Sequence, residues 1–333
     1  MVIGDGGWGT AIALALFRAG RSVTMWSYDS GYAAEVAERR ENHKFLPGIP
    51  IPDPIRWTAD VEEALHEAED FYSVVPTQFI RPTLARFQGK LSHLPGISAS
   101  KGLELKTGLR ASEIVAEVSE SDRIAVFSGP SHAEEVGRGL VTTVVAAAES
   151  QEFANQIQSR IAGETLRVYT SQDVVGVELG GALKNIIAVA AGIGDGLGLG
   201  DNAKAALVSR GLMEMGRLGE RFGARRETFF GLSGAGDLMV TCYSQHSRNR
   251  AFGERIGQGD SLEQILASME KVAEGVWTCQ AVHQRADQLG VDMPITRQLH
   301  SILFEGRDPK DAVRDLMLRP SKAEWDTPLG GRR

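Results

Sequence analysis

The sequence predicts an α/β protein: a doubly wound, mostly parallel sheet over residues 1–172, then a second, all-helical domain over residues 173–333. Two observations predict the sheet. Short apolar runs alternate with helix-period stretches through the first half, the pattern of strand–helix–strand units joined in parallel. The chain also opens on such a unit, with a glycine-rich turn between its first strand and first helix. A third observation predicts the helices. After about Asp173 the strand signals stop, and Val174 to Ala191 is apolar on nearly every side, as a buried helix is.

Bulk composition bounds what the fold can do. A chain of 333 residues with 42% hydrophobic content has material for two cored domains. A net charge of -7 argues against nucleic acid as a partner but leaves an anionic small molecule open. Two cysteines, Cys242 and Cys279, make no disulfide framework and fit a reducing compartment. Both read as structural. No apolar run of about 18 residues is free of charge and glycine, so no membrane span is expected. The N-terminus lacks the basic-then-apolar form of a signal peptide. A cytoplasmic protein is the expectation.

Taken in order, Met1 to Ile3 is a strand shorter than the usual five or six residues, so the start reads as truncated or misassigned. Gly4-Asp5-Gly6-Gly7-Trp8-Gly9 follows, then a helix over 10–19 and a strand over 22–27. This is the Rossmann-like unit that binds dinucleotides. Gly4 makes the tight turn, Gly6 lets backbone approach a pyrophosphate, and Gly9 lets helix and strand pack closely. Asp29, 20 positions past Gly9, stands where an acid can hold a ribose hydroxyl, and no Arg stands at Ser27, Tyr28 or Asp29 to clamp a 2′-phosphate. Arg39 and Arg40 could fold back to do so, which leaves NAD against NADP open.

Asn42 to Trp57, with Pro47, Pro50, Pro52 and Pro54, is a loop: an ordered cover over a site or a plain connector. Strands follow at 71–75, 96–100, 123–128, 140–148 and 166–170, with a helix over 152–161. Ser131 with Glu134 fits a capping box. Lys101, Gly129 and Ser131 stand at strand carboxyl ends, where doubly wound sheets bind ligands. In the second half, Gly192 to Gly200 reads as a flexible break, and helices follow at 202–222, 262–269, 278–289, 296–304 and 309–318. The tail from about Arg319 is expected to be poorly ordered.

The polar residues that need a reason are few. Lys184 lies in the middle of the buried helix, and a buried ammonium is costly unless paired or functional. Gly181 and Ala188 lie on its face and leave room for a small ligand. The bland alternatives are snorkelling to solvent or pairing with Glu178. Ser233-Gly234-Ala235-Gly236-Asp237 comes next, with Thr241 one turn on; Asp237 could be a helix cap. Ser247 reads as the N-cap of a helix whose first residue is Arg248, and dipole, free N–H groups and guanidinium together make a phosphate site there. Arg250 is a second candidate. His132 reads as a site-wall or capping residue, and no histidine has metal spacing. Hydride transfer to a ketone needs a proton donor at the developing alkoxide. Lys184 can serve, its pKa lowered by burial and by Lys101 as a neighbouring cation.

These residues carry a resemblance. The segments 4–10, 45–48, 100–104, 128–133, 176–185, 196–203, 233–238, 247–250 and 272–275 are similar to those of bacterial NAD(P)-dependent glycerol-3-phosphate dehydrogenases, along almost the whole chain. The resemblance implies reversible reduction of dihydroxyacetone phosphate to sn-glycerol 3-phosphate with NADH or NADPH, feeding glycerophospholipid synthesis, without a metal. It implies Lys184 as proton acceptor in alcohol oxidation. It places Lys101, Gly129, Ser131, Asp237, Ser247, Arg248 and Asn249 around the substrate. It places Gly7, Trp8, Tyr28, Phe45, Ala133, Val272 and Glu274 at the cofactor, with Lys101 and Arg248 touching both ligands. It also implies a homodimer. The chain departs from the family pattern at Tyr28, where Arg or His is frequent, at Gly7, where Ser is common, and at His132, where Phe is frequent. From the residues alone, a dehydrogenase for another hydroxy acid and a nucleotide sensor without turnover stay open.

Overall fold

A computed structural model of the chain describes residues 1–268, 273–321 and 323–324. Its sheet has eight strands: β1 (Val2–Ile3), β2 (Thr24–Trp26), β3 (Arg56–Thr58), β4 (Phe71–Ser73), β5 (Gly96–Ser98), β6 (Ile124–Ser128), β7 (Thr142–Ala147) and β8 (Leu166–Ser171). The spatial order is β3-β2-β1-β4-β5-β6-β7-β8. Every neighbouring pair is parallel except β6 with β7. The mostly parallel, doubly wound expectation holds.

Successive side chains of the central strands go to opposite faces, and both faces are apolar, because helices cover each. Val2, Met25 and Tyr72 join the core on one face with Ile12, Leu16 and Phe127. Ile3, Trp26 and Phe71 join the core on the other with Leu84, Phe87 and Ile114. The order reverses between β1 and β4, and the crevice at such a switch point is where ligands bind.

β3 is absent from the sequence reading, which has a loop through Trp57. The prolines mask a three-residue edge strand whose register is held by Arg56 N donating to Val23 O at 3.0 Å and Trp57 Nε1 donating to Ser27 Oγ at 2.7 Å. The rest of that loop is an ordered cover. Leu46, Ile49 and Ile51 are buried in the sheet core, and Asn42 Nδ2 donates to Asp5 O and Thr10 Oγ1, both at 2.7 Å, tying the loop to the glycine turn.

The helical part is built around one long helix, Val174–Gly196. Asp173 caps it, accepting from Gly176 N at 2.9 Å while also taking Arg225 N and Thr228 Oγ1. By length and composition it is the one described helix able to cross a membrane, and 83% of its apolar window is buried inside the protein. Val177 packs on β6 and β7 through Val126, Val145 and Ala147. Leu183, Ile187 and Ile193 form the core of the helical part with Phe229, Phe252 and Val276.

The expected break at Gly192 begins only after Gly196. Gly192 and Gly196 are small because the Arg248–Gln258 helix crosses backbone to backbone there: a Cβ on Gly192 would lie 2.0 Å from Arg250 O, and one on Gly196 2.2 Å from Glu254 O. Gly253 and Gly257 answer from the other helix, with a Cβ on Gly253 falling 2.0 Å from Val189 O. Gly253→Ala is therefore expected to lose about 1–3 kcal/mol to overpacking, although alanine is the better helix former by about 1 kcal/mol. A urea-unfolding midpoint at or above the parent's would contradict this. The expectation of poor order from about residue 319 falls largely on residues 322 and 325–333, outside the described residues.

Candidate active site

Lys184 is 7% exposed, so it does not snorkel. Nor does it pair with Glu178. That carboxylate accepts from Arg110 Nη1 at 2.8 Å, Ser112 N at 2.7 Å and Ser112 Oγ at 2.6 Å. The Lys184 ammonium instead donates to Asp237 Oδ1 and, at 2.8 Å, to Thr241 Oγ1. Thr241 sits one turn beyond Asp237 in the Asp237–Tyr243 helix and donates back to Asp237 O at 2.6 Å. Asp237 Oδ2 takes Lys101 Nζ at 2.7 Å. Asp237 is thus no helix cap: one buried carboxylate is shared by two ammoniums. Burial pulls the Lys184 pKa down, Asp237 pulls it up and Lys101 pulls it down again, leaving it at about 8.

The backbone around this triad is unusual. A π-helical turn, Leu232–Gly236, delivers Asp237, as such turns often do at functional sites. Gly180 lets it close on the long helix, and Gly234 lets it fold back on the Arg226–Phe230 turn. A Cβ on Gly180 would lie 2.6 Å from Ser233 O, and one on Gly234 2.0 Å from Phe229 O. A Cβ on Gly181 would lie 2.5 Å from Ser128 Oγ and 3.5 Å from Lys101 Cγ. The volume expected open beside Lys184 is therefore filled on the Gly181 side by Ser128 and the Lys101 stem. Small residues here admit neighbouring protein, not ligand.

Lys101 follows β5 and Gly129 follows β6. Lys101 Nζ donates to Gly129 O at 3.1 Å and approaches Ser131 Oγ at 3.4 Å, while Ser131 Oγ donates to Gly129 O at 2.8 Å. Gly129 has φ +145°, and a Cβ there would meet Val144 Cα at 2.9 Å. No capping box forms at Ser131. The helix starts one residue later, at Ala133, with His132 in the N-cap position and no side-chain cap. Burial first, then Lys184, lower the His132 pKa, and its ring lies 5.9 Å from that of His246.

Ser247 caps the Arg248–Gln258 helix, accepting from Arg250 N at 3.2 Å. Arg248, its first residue, is exposed. Arg250 is spent elsewhere, on Asp195 Oδ2 at 2.5 Å and Ser244 O at 3.2 Å. Of the two arginines, Arg248 is the one left for an anion. Asn249 is a tie: its Nδ2 donates to Asn185 Oδ1 and its Oδ1 accepts from Gly275 N, each at 2.9 Å. Asn185 in turn donates to Lys101 O at 3.4 Å.

The glycine turn fits a dinucleotide pyrophosphate. Gly4 has φ +109°, and a Cβ on it would hit Val74 O at 2.8 Å. Gly9 must lack a Cβ because Gly4 O would stand 2.0 Å away. The Cα of Gly6 faces open space, so a ligand can approach its backbone. Gly6 is the N-cap of the Gly7–Arg18 helix, whose first-turn N–H groups suit phosphate. Gly7 is walled by Phe45 O and Ala133 Cβ, at 2.7 and 3.5 Å from a Cβ placed there. Trp8 stacks on Phe127 with centroids 6.4 Å apart. Among the buried polar atoms without a partner are Trp8 Nε1, Thr77 Oγ1, Ser128 Oγ and His132 Nε2, all on segments at the carboxyl ends of β1, β4 and β6. Those donors and acceptors suit a polar ligand in the crevice.

Glu274 reaches the same crevice from the helical part and accepts from Thr77 N at 3.2 Å. Burial pushes its pKa up to about 7 against the pull of Thr77 and Arg248. Val272 lies outside the described residues. Tyr28, just past β2, is 61% exposed. Neither arginine expected to fold back reaches it. Arg39 pairs with Glu35 at 3.0 Å, and Arg40 is held by Ile51 O, Pro52 O and Ile55 O. Asp29 Oδ1 caps the next helix, accepting from Tyr32 N at 2.9 Å.

Sequence reasoning missed Thr77 and Ser128 as crevice residues, although both stand at strand ends. It also saw no metal spacing. The fold does gather His283, His300 and Glu305, with candidate ligand atoms within 4.8 Å of one another. The two imidazoles stack with centroids 3.9 Å apart and planes at 26°, and His300 Nδ1 lies 3.0 Å from Glu305 Oε1.

A model of the NAD-dependent glycerol-3-phosphate dehydrogenase N-terminus matches residues 1–154, and one of the C-terminus of the same family matches residues 173–314. A glycerol-3-phosphate dehydrogenase (NAD(P)+) of Chlorobium phaeobacteroides is 47% identical over 327 residues, 97% of this chain and 98% of that protein. One of Bacillus mycoides is 49% identical over 97% of this chain and 96% of that protein. The crystal structure of glycerol-3-phosphate dehydrogenase from Coxiella burnetii superposes with a TM-score of 0.91 at 39% identity, covering 96% of this chain and 98% of that one.

Proposed function

The chain belongs to the NAD-dependent glycerol-3-phosphate dehydrogenase family, and from that premise we infer how its own residues carry the reaction. The reaction is the interconversion of dihydroxyacetone phosphate and sn-glycerol 3-phosphate with NAD(H) or NADP(H). The observation that carries our reading is the buried Lys184 ammonium, held by Asp237 and shifted to about 8. A lysine tuned toward neutrality can both give and take a proton at working pH.

The bound dinucleotide supplies the hydride for reduction and accepts it in oxidation. Residues 1–172 would hold it, with Gly4, Gly6, Gly7, Trp8 and Gly9 at the pyrophosphate, Tyr28 toward the adenosine, and Phe45 and Ala133 as walls, joined by Glu274 from the helical part. Residues 173–333 would bring the substrate. Lys184 Nζ gives its proton to the carbonyl oxygen as that oxygen becomes a hydroxyl, and takes one back in the reverse direction. Lys101 stabilises the developing negative charge and approaches both ligands. Asp237 fixes both ammoniums, and Gly129 and Ser131 fix Lys101. Arg248, at a helix start capped by Ser247, holds the phosphate and reaches toward the cofactor, with Asn249 locking that helix in place. A cytoplasmic homodimer that supplies glycerophospholipid synthesis fits the resemblance; sedimentation reads its mass.

The pH dependence tests this. Reduction needs Lys184 protonated, so kcat/KM for dihydroxyacetone phosphate is expected to fall as pH rises through about 8. Oxidation of glycerol 3-phosphate needs it neutral, so kcat/KM in that direction is expected to rise through the same value. Profiles that are flat, or that bend the same way in both directions, would remove Lys184 from the proton step.

A further inference from the structure

An arginine distant in sequence stands where the adenosine ribose of a dinucleotide would lie. Arg86, in the short 3-10 turn Ala85–Phe87, donates from Nη1 to Tyr28 O at 3.2 Å. Its guanidinium carbon lies 4.6 Å from the Tyr28 ring centroid and 5.6 Å from that of Trp26. The platform beneath it is rigid. Trp26 is fully buried at the end of β2, Phe87 packs edge-on against it at 5.1 Å, and Trp26 Nε1 donates to Ala59 O at 3.1 Å. Among the described residues no carboxylate lies within ion-pair distance of Arg86, and its remaining N–H groups have no hydrogen-bond partner.

The end of β2 is where dinucleotide folds tell the two cofactors apart. An acidic group binds the free 2′-hydroxyl, and a nearby arginine accommodates the 2′-phosphate. Here the acid, Asp29, has one carboxylate oxygen committed to its own helix cap. The cation is stacked, oriented by a backbone carbonyl and unneutralised. A planar guanidinium can meet a phosphomonoester with two parallel hydrogen bonds.

We propose that Arg86, stacked on Tyr28, is the residue that recognises the adenosine 2′-phosphate and gives this protein a preference for NADPH over NADH. This rests on the dinucleotide reading above and goes beyond it, since the cation comes from the β4 side of the switch point and not from the turn after β2. Tyr28 itself then serves as support for the arginine and as a flat face for the adenine.

The test is calorimetric titration with NADPH and with NADH, run on the parent, Arg86→Gln, Arg86→Lys and Arg86→Glu. The parent is expected to bind NADPH more tightly. Arg86→Gln is expected to lower the NADPH:NADH affinity ratio at least about tenfold, Arg86→Lys to keep part of it as a point charge, and Arg86→Glu to reverse it. The parent preference should also weaken as salt rises. A ratio in Arg86→Gln within about twofold of the parent's overturns the proposal while leaving dinucleotide binding intact. A parent that binds neither nucleotide overturns the dinucleotide reading itself.

Discussion

Lys184→Met is expected to lower kcat for dihydroxyacetone phosphate reduction by about 10²- to 10⁴-fold, the usual span for loss of a positioned general acid. The fold should survive. Methionine fills similar volume, Asp237 keeps its partner Lys101 at 2.7 Å, and the cost of holding a second ammonium out of water disappears. The thermal midpoint should stay near the parent's or rise. Dissociation constants for the substrate should change far less than kcat, because Arg248 and the helix start proposed to hold the phosphate are untouched. Initial rates within tenfold of the parent, with the variant folded, would show that the proton comes from elsewhere.

Asp237→Ala is expected to do the opposite: to injure the fold as well as the chemistry. It leaves two ammoniums in a site where Asp237 is 1% exposed and Lys184 7%, and breaking one partner of a buried ionic cluster costs about 3–5 kcal/mol. The loss should depend on pH with a definite sign. The Lys184 pKa already lies below its ordinary 10.5, and removing Asp237, which raises it, moves it further down. The unfolded chain then binds more protons than the folded one between the folded pKa and about 10.4. Stability therefore rises with pH across that window, and the defect is deepest below it. Urea unfolding at several pH values reads this directly. A defect that grows as pH rises would refute the assignment of Asp237 as counter-ion.

The features legible in the sequence were those in which chemistry is local. The glycine turn could be read because one short segment carries the turn, the approach and the packing. Ser247 could be read because a cap and its helix are contiguous, and Lys184 because a charge in an apolar helix is conspicuous by itself. What stayed hidden depends on partners far along the chain. Glu178, six residues from Lys184, looks like its counter-ion until Arg110 and Ser112 are seen to occupy it. Gly181 reads as space for a ligand until Ser128 and Lys101 are found filling it. The Ser131–Glu134 spacing matches a capping box, yet Ser131 turns back to Gly129 O. β3 escapes notice because prolines crowd it and only three residues pair. Arg86 lies 58 positions from Tyr28, and no periodicity links the two.

The backbone-to-backbone crossing of the Val174–Gly196 and Arg248–Gln258 helices acts as a ruler. Gly192, Gly196, Gly253 and Gly257 let the two main chains touch with no side chain between them, so their spacing has no soft component. One helix carries the proton-bearing Lys184 and the other carries Arg248 at its start. The separation of those two residues is therefore set where peptide groups meet. Side chains inserted at the crossing would part Lys184 from Arg248, even with every polar residue of the site in place.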